Sequence, residues 1–539
     1  MNEKIIIDCQ ILQTAAFDRG MGKYTSSVLR AFSQECSDQK AYDQVIILLN
    51  KNIKTDSTRK QYIQALIPKA KLVFLDLPVS VDSDTIQKNI HARRVITDFC
   101  AEHGDKTELS FLITAPFFVG FASVLPDIDK VKKFSIVYDF IPYRIWHKQR
   151  IFPDDLYFQH FNMLMDADHL FTISTFVKND LINIFGFRDD KITAIDGGPF
   201  KQQLANVSSK RPIKEKYIIY PSAPIVHKNN DIAVKGFKKF NKRNNNLYKL
   251  VFTSSFDEKT KDRLSKISKD LIFTGNITDE ELSVYYSNAE TVLFASLSEG
   301  LGMPVLEAMQ YGLPVACSDI PVLTEISDSV MYLFKPNSPS SIAGSLQKAV
   351  KKEDFSEKSA DYKAILGRYT WERSARLMLE GIIKTTPNVQ QKENLIIVTK
   401  KSTENSKESR FIEYIYAELT LRFNISVLFT ESKRKLLLKE NPSFVYYIAN
   451  KIDALSSDKI LCIGKVSAQL LNKSASNKKI FINILGIKKK RVAKSIITII
   501  ARRRPVDKYL GFYDWEYKID GKNVKPKHLV EEIIKGFEK

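Results

Sequence analysis

The chain has 539 residues, a formal net charge of +20, 44% hydrophobic residues and 11% aromatics. This length suggests about three domains, each with its own core, and the apolar content excludes a largely disordered chain. The five cysteines (Cys9, Cys36, Cys100, Cys317 and Cys462) are scattered and lack metal-ligand spacing, so they read as free thiols in a reducing cytoplasm rather than as a disulfide framework.

The predicted elements alternate short β-branched runs with helical-period segments, the pattern of parallel α/β domains. The first unit, residues 1–207, opens directly on a strand with no signal-peptide h-region. It has predicted strands near Lys4–Cys9, Val45–Leu49, Lys71–Leu75, Leu109–Thr114 and Phe134–Val137, with a helix over Lys23–Phe32. The run Leu109–Pro126 is uncharged and approaches a membrane span in length. Pro116 splits it and Gly120 loosens it, so a buried strand followed by an apolar loop or helix is expected. Aromatics follow, among them Phe140, Tyr143, Trp146, Phe152, Tyr157, Phe158 and Phe161, suited to a core or to sugar rings. Gly197 and Gly198 are expected to turn the chain toward a polar, basic hinge at 208–216.

A second unit, residues 208–385, has predicted strands near Tyr217–Tyr220, Lys249–Thr253, Leu271–Thr274, Thr291–Phe294 and Val315–Cys317. Its last helix runs from Tyr369 to about Lys384 and is expected to pack back on the first unit. Residues 386–392 read as a linker. The third unit, 393–539, has predicted strands near Leu395–Thr399, Ile425–Phe429, Phe444–Ile448 and Lys459–Ile463. Most of the positive excess lies in it, and within 478–504 there are ten basic residues and no acidic ones. Interleaved with isoleucines, these read first as a surface for anionic lipid, at the inner face of the plasma membrane, or as a solvated basic face. Nucleic acid is the weaker reading, because no recognised module or stacking-aromatic pattern accompanies the charge.

Four segments carry chemistry. The first is Ser-Glu-Gly-Leu-Gly-Met-Pro-Val-Leu-Glu-Ala (298–308). Glu299 sits in a Gly-punctuated loop, Pro304 suits a first helical turn, and Glu307 is expected on that turn. Loop and helix N-terminus offer free N–H groups to an anion. Two carboxylates beside that anion can grip hydroxyls, which together suits a sugar nucleotide. The second segment is Tyr-Pro-Ser-Ala-Pro-Ile-Val-His-Lys-Asn-Asn (220–230), where Lys228 follows a strand and can neutralise a diphosphate. The third is Asp-Arg-Gly-Met-Gly-Lys-Tyr-Thr (18–25), where Gly20 and Gly22 permit close backbone approach before a helix. The fourth is Val-Tyr-Asp-Phe-Ile-Pro (137–142), where Asp139 follows a strand.

With Phe-Thr-Gly-Asn-Ile-Thr-Asp-Glu-Glu-Leu (273–282), the run 296–309 and Gly-Leu-Pro-Val-Ala-Cys-Ser-Asp-Ile-Pro-Val-Leu-Thr-Glu-Ile (312–326), residues 1–385 resemble the retaining glycosyltransferases of family 4, with the GT-B fold. The 8–13 and 18–25 segments are similar to a branch acting in surface-polysaccharide assembly. The resemblance implies an α/β fold of two Rossmann-like domains facing a cleft. It implies that Glu307 holds the donor ribose and that Glu299 contacts the donor sugar near the reacting carbon. Amides around Gly300, Leu301, Gly302 and Met303 would face sugar and diphosphate. Lys228 matches the family's clamp lysine, and His227 matches a position often occupied by Arg or His. Ala223 stands where many relatives carry an upstream Arg. Tyr138 replaces the His of a His-Asp pair and leaves Asp139 as a candidate for donor sugar or acceptor.

The implied activity is metal-independent and needs no cofactor beyond a nucleotide-diphospho-sugar donor, with a glycan or lipid-linked acceptor. Two alternatives stay open: a nucleotide-sugar epimerase on the same fold, or a non-catalytic partner subunit of a glycosylation complex. Residues 414–429 and 444–450 resemble the first half of another such transferase, which implies a truncated, non-catalytic third module.

Overall fold

The computed structural model describes residues 3–39, 41–42, 44–79, 85–104, 108–118, 120–128, 130–142, 144, 164, 166–185, 187–200, 211–327 and 329–387, then the backbone of eight strands between 393 and 524. The first unit contains β1 (Glu3–Asp8), α1 (Gly20–Gln39), β2 (Gln44–Asn50), α2 (Ser57–Leu66), β3 (Lys71–Leu75), α3 (Thr85–Gly104), β4 (Glu108–Ile113), β5 (Val131–Val137), β6 (His169–Thr172), α4 (Thr175–Asn183) and β7 (Ile192–Ala194). Its strands form one parallel sheet in the order β3-β2-β1-β4-β5-β6-β7. Both faces are covered by helices, so central strands such as Ile5–Ile7 and Ile46–Leu49 are apolar at every position and fully buried.

The second unit contains β8 (Lys216–Tyr220), α5 (Asn230–Arg243), β9 (Tyr248–Phe252), α6 (Glu258–Ile267), β10 (Leu271–Phe273), α7 (Asp279–Asn288), β11 (Thr291–Phe294), α8 (Met303–Gln310), β12 (Val315–Ser318), α9 (Pro321–Ile326), β13 (Tyr332–Phe334), α10 (Pro339–Lys351), α11 (Phe355–Ala360), α12 (Tyr362–Arg368) and α13 (Trp371–Lys384). Its parallel sheet runs β10-β9-β8-β11-β12-β13. This is the doubly wound order, in which ligands sit outside the carboxyl ends of the strands.

The third unit contains β14 (Glu393–Lys400), β15 (Phe423–Thr430), β16 (Leu436–Lys439), β17 (Lys459–Ile463), β18 (Lys479–Asn483), β19 (Thr498–Arg503), β20 (Trp515–Ile519) and β21 (Lys522–Val524). The sheet order is β16-β15-β14-β17-β18-β19-β20-β21, with β14, β15, β17, β18 and β19 parallel and β16, β20 and β21 antiparallel to their neighbours.

Several expectations shift. The strand predicted at Phe444–Ile448 lies outside the described residues, as do the aromatics Tyr143, Trp146, Phe152, Tyr157, Phe158 and Phe161 and most of the basic stretch 478–504 beyond β18 and β19. Strands β6, β7 and β13 are only three or four residues long and carry no readable alternation. Leu109–Pro126 is β4 followed by an apolar loop, with Phe121 bridging Val79. Among the described residues no helix is long and apolar enough to cross a membrane. Cys9, Cys36, Cys100 and Cys317 are free thiols, all buried.

Helix α13 joins the two units. Thr370 caps it by accepting from the Arg373 N–H at 3.2 Å. Its apolar face (Trp371, Ala375, Met378, Leu379 and Ile382) is buried against α1, β6 and β7 of the first unit. Gly381 is needed for that approach, since a Cβ there would stand 2.7 Å from the Phe171 ring. At the crossing, the Trp371 indole N–H donates to the Pro199 carbonyl at 3.0 Å, and Arg373 pairs with Asp196 at 2.7 Å.

Candidate functional site

The loop between β11 and α8 meets the first unit. Gly302 caps α8 at φ +107, a left-handed conformation that favours glycine, and a side chain there would also strike Leu323. Gly300 lies against the end of β5: a Cβ would stand 2.3 Å from the Tyr138 carbonyl oxygen and 3.3 Å from the Asp139 Cβ. Glycine at 300 is thus required by contact between the units. Leu301 is buried and Met303 is half-buried at the helix start.

Glu299 projects from this loop toward Lys228. The Lys228 Nζ donates to the Glu299 carboxylate at 2.6 Å and lies 5.1 Å from the Phe294 ring centroid. Both side chains are largely buried, at 16% and 12% exposure, so neither charge is freely hydrated. Burial alone would raise the Glu299 carboxyl, but Lys228 and then His227 outweigh it and hold it below its ordinary value. Burial pushes the His227 imidazole down to about 4, leaving it neutral at pH 7. His227 contributes through its backbone too, accepting from the Leu297 N–H at 2.7 Å. Asn229, at φ +60, donates to the Ala295 and Pro336 carbonyls at 3.2 and 2.8 Å. The lysine turn and the glutamate loop are therefore one hydrogen-bonded unit.

Asp139 reaches this pair from the first unit. Its carboxyl is pushed up to about 6, chiefly by burial; the Ile141 N–H, 2.9 Å away, works against this, and the charges of Glu299 and Lys228 act in opposite directions. Tyr138 does not face the pair. Its buried hydroxyl shares a 2.8 Å hydrogen bond with the Thr25 hydroxyl on α1, so this tyrosine ties β5 to α1.

Glu307 differs from expectation. Helix α8 begins at Met303, so Glu307 stands one turn in, past the free amides of the helix start. It is buried, and accepts from the Tyr286 hydroxyl of α7 at 2.8 Å. The Tyr286 ring stacks on Tyr311 with centroids 5.2 Å apart. Burial pushes the Glu307 carboxyl up to about 7; Tyr286 and Lys23 pull it back and Asp279 adds to it.

The glycines of 18–25 also differ from expectation. Gly20 and Gly22 lie in the first turn of α1 rather than in a loop before it. Gly22 is required by packing, since a Cβ would stand 2.4 Å from the Ala16 carbonyl oxygen, whereas Gly20 is exposed with nothing within 4 Å of its would-be Cβ. Next to them, Lys23 pairs with Asp279 of α7, joining the units on the Glu307 side.

Two functional candidates escaped the sequence reading. Ser174 caps α4 and its hydroxyl also donates to the Gly300 carbonyl at 2.6 Å. Glu325 of α9 accepts from the Thr175 and Phe176 N–H groups at 2.7 and 2.6 Å. Ser174 was readable as a helix cap, but nothing local marks a partner about 150 residues away.

Residues 202–365 match the family model described as glycosyl transferases group 1. The chain is 22% identical over 428 residues to the serotype-specific mannosyltransferase WbdA of Escherichia coli, covering 72% of this chain and 49% of that protein. The chain thus spans about half the length of this curated relative. WaaG, a glycosyltransferase involved in lipopolysaccharide biosynthesis, aligns with a TM-score of 0.51 at 11% identity, over 71% of this chain and 100% of its own. Anabaena HepE, in complex with UDP-glucose, aligns with a TM-score of 0.51 at 12% identity, over 70% of this chain and 99% of its own. The first two sheets are therefore a GT-B fold, and residues 202–365 form a domain that matches the glycosyl transferases group 1 model, the group to which the motifs at 273–282, 296–309 and 312–326 pointed.

Proposed function

We propose that the first two units transfer a sugar, with retention of configuration, from a nucleotide-diphospho-sugar to a glycan or lipid-linked acceptor in surface-polysaccharide assembly. The observation that carries this reading is the 2.6 Å Lys228–Glu299 pair, set at the carboxyl ends of the second sheet with Asp139 of the first sheet within its electrostatic reach. In this reading Lys228 moves part of its charge from Glu299 to the diphosphate, whose negative charge grows as the sugar–phosphate bond breaks. The new bond forms on the same face of the sugar, and the acceptor hydroxyl passes its proton to the leaving phosphate oxygen. Glu299 and Asp139 hold the sugar and acceptor hydroxyls. Glu307 takes the ribose, and the amides from Gly300 to Met303 take sugar and diphosphate.

The donor needs no metal counter-charge in this reading, because Lys228 and the start of α8 supply one. HepE in complex with UDP-glucose and the mannosyltransferase activity named for WbdA support a nucleotide sugar as donor. The basic excess beyond residue 391 supports peripheral binding at an anionic inner membrane face, and residues 393–539 are read as a truncated first-half module serving location.

The test is release of nucleoside diphosphate from UDP-glucose and nucleotide-linked mannose, with and without an acceptor glycan. Acceptor-dependent release is expected, and Lys228→Ala should remove about 3 kcal/mol of transition-state stabilisation, more than a hundredfold in rate. Epimerised sugar without acceptor would move the assignment to an epimerase. Binding without turnover would move it to a partner subunit, and no binding at all would end the enzyme reading.

A further inference from the structure

We infer that Glu325 and Ser174 are positioning residues that fasten the 295–302 loop to the first unit, so that the Glu299 geometry is completed only when the two units are joined. This rests on the transferase reading for its catalytic consequence and on contact geometry for the fastening itself.

The first α4 amides, Thr175 and Phe176, have no partner within their own helix. A carboxylate from the other unit fills both places, one oxygen to each N–H at 2.7 and 2.6 Å. The charge suits the positive end of a helix, so the contact is charge-assisted on both oxygens. One residue earlier, the Ser174 hydroxyl does two jobs. It accepts from the Val177 N–H at 3.1 Å as a helix cap and donates to the Gly300 carbonyl at 2.6 Å. Ser174 is fully buried, so this second bond is shielded from water. Gly300 is the residue next to Glu299, and a Cβ on it would strike the Tyr138 carbonyl oxygen. The start of α4 therefore grips the second unit at two points, α9 through Glu325 and the loop through Gly300. Separating the units would exchange these charge-assisted bonds and the Ser174–Gly300 bond for bonds to water, so their net worth favours the joined form.

The test uses the full chain with Glu325→Ala, Glu325→Gln, Thr175→Pro and the Thr175→Pro/Glu325→Ala double variant. Thr175 is the first helical position, where proline is tolerated, and Ser174 is already extended (φ −164°, ψ 162°) as a residue before proline should be. The proline thus deletes the Thr175 N–H, together with the Thr175 hydroxyl contact to Glu325, without breaking α4. Three quantities are read: hydrogen exchange at the 175–176 amides, affinity for nucleoside diphosphate, and kcat with KM for transfer. In Glu325→Ala, faster exchange, unchanged nucleoside diphosphate affinity and a kcat lower by about ten- to a hundredfold are expected. Glu325→Gln, which keeps one acceptor oxygen, should fall between. Thr175→Pro should lower kcat in the same direction, and the double variant should lose less than the two single losses combined.

Unchanged exchange in Glu325→Ala overturns the contact. Lost protection with full kcat overturns the positioning role and leaves a purely structural cap. If the wild type shows protected amides but turns over no nucleotide sugar, the transferase reading fails, and the catalytic half of this inference with it, while the fastening stands on exchange alone.

Discussion

At the scale of single residues, the proposed ribose contact of Glu307 would couple nucleotide binding to pH. Its carboxyl is pushed up to about 7, so near neutral pH a large share of the free protein carries a proton there. Ribose hydroxyls donate more readily to a carboxylate than to a carboxyl, so binding favours the ionised form. Affinity for a nucleotide sugar should then rise with pH through about 7 and level off above it, with proton release on binding near and below that pH. Calorimetry in buffers of different ionisation enthalpy checks this, because the diester phosphates of a nucleotide sugar do not titrate in that range. Glu307→Gln should remove the pH slope and weaken binding by about 1.5–3 kcal/mol, the worth of hydrogen bonds to a charged group. The eight-residue spacing from Glu299 singled out Glu307 as a candidate, but its protonation was not legible. That depends first on burial and then on Tyr286, Lys23 and Asp279, brought together by folding from two other helices. Tyr138 shows the same limit: the substitution for His was visible, while the turn of its side chain toward Thr25 was not.

At the scale of elements, α1 separates two glycines that look equivalent in sequence. Gly22→Ala drives a Cβ into the backbone of Ala16 and Phe17, an overpacking that should cost about 1–3 kcal/mol and displace Lys23 from Asp279. Gly20→Ala meets nothing and should gain about 0.4–1 kcal/mol by restricting the unfolded chain. Thermal unfolding distinguishes them. If Gly20→Ala also weakens nucleoside diphosphate binding while raising the melting temperature, the glycine serves close backbone approach by the phosphate. The central strands of the first two sheets were legible because both-face burial makes them continuous apolar runs, as at Ile5–Ile7 and Val292–Phe294. The helix starts were legible where local chemistry marks them, as in the Thr278–Glu281 capping box of α7. Short strands such as β7, with three residues, are held by their neighbours rather than by their own pattern.

At the scale of the molecule, α13 belongs by sequence to the second unit and by packing to the first. Burying Trp371, Met378, Leu379 and Ile382 contributes about 1.5–3 kcal/mol for each large side chain, mostly to the stability of the first sheet. A chain ended at residue 369 should therefore unfold at clearly lower temperature, and limited proteolysis should cut within α1. A chain ended at 387 should keep the thermal stability of both units while losing affinity for vesicles containing phosphatidylglycerol. The return of α13 has a further consequence, because the sheet at 393–524 repeats the third-second-first-fourth-fifth-sixth-seventh order of the sheet at 3–194, adding an eighth strand and setting its third and last two strands antiparallel to their neighbours. The second unit is thus flanked in the chain by two sheets of related strand order, so the later one can compete for α13 during folding. The order of translation favours the earlier one. Lys384 emerges from the ribosome while most of the later sheet, from β15 onward, is still to be made, so α13 can dock on the first layer before its rival is complete. Refolding from denaturant offers both layers at once, and mispaired species belong to the test tube more than to the cell.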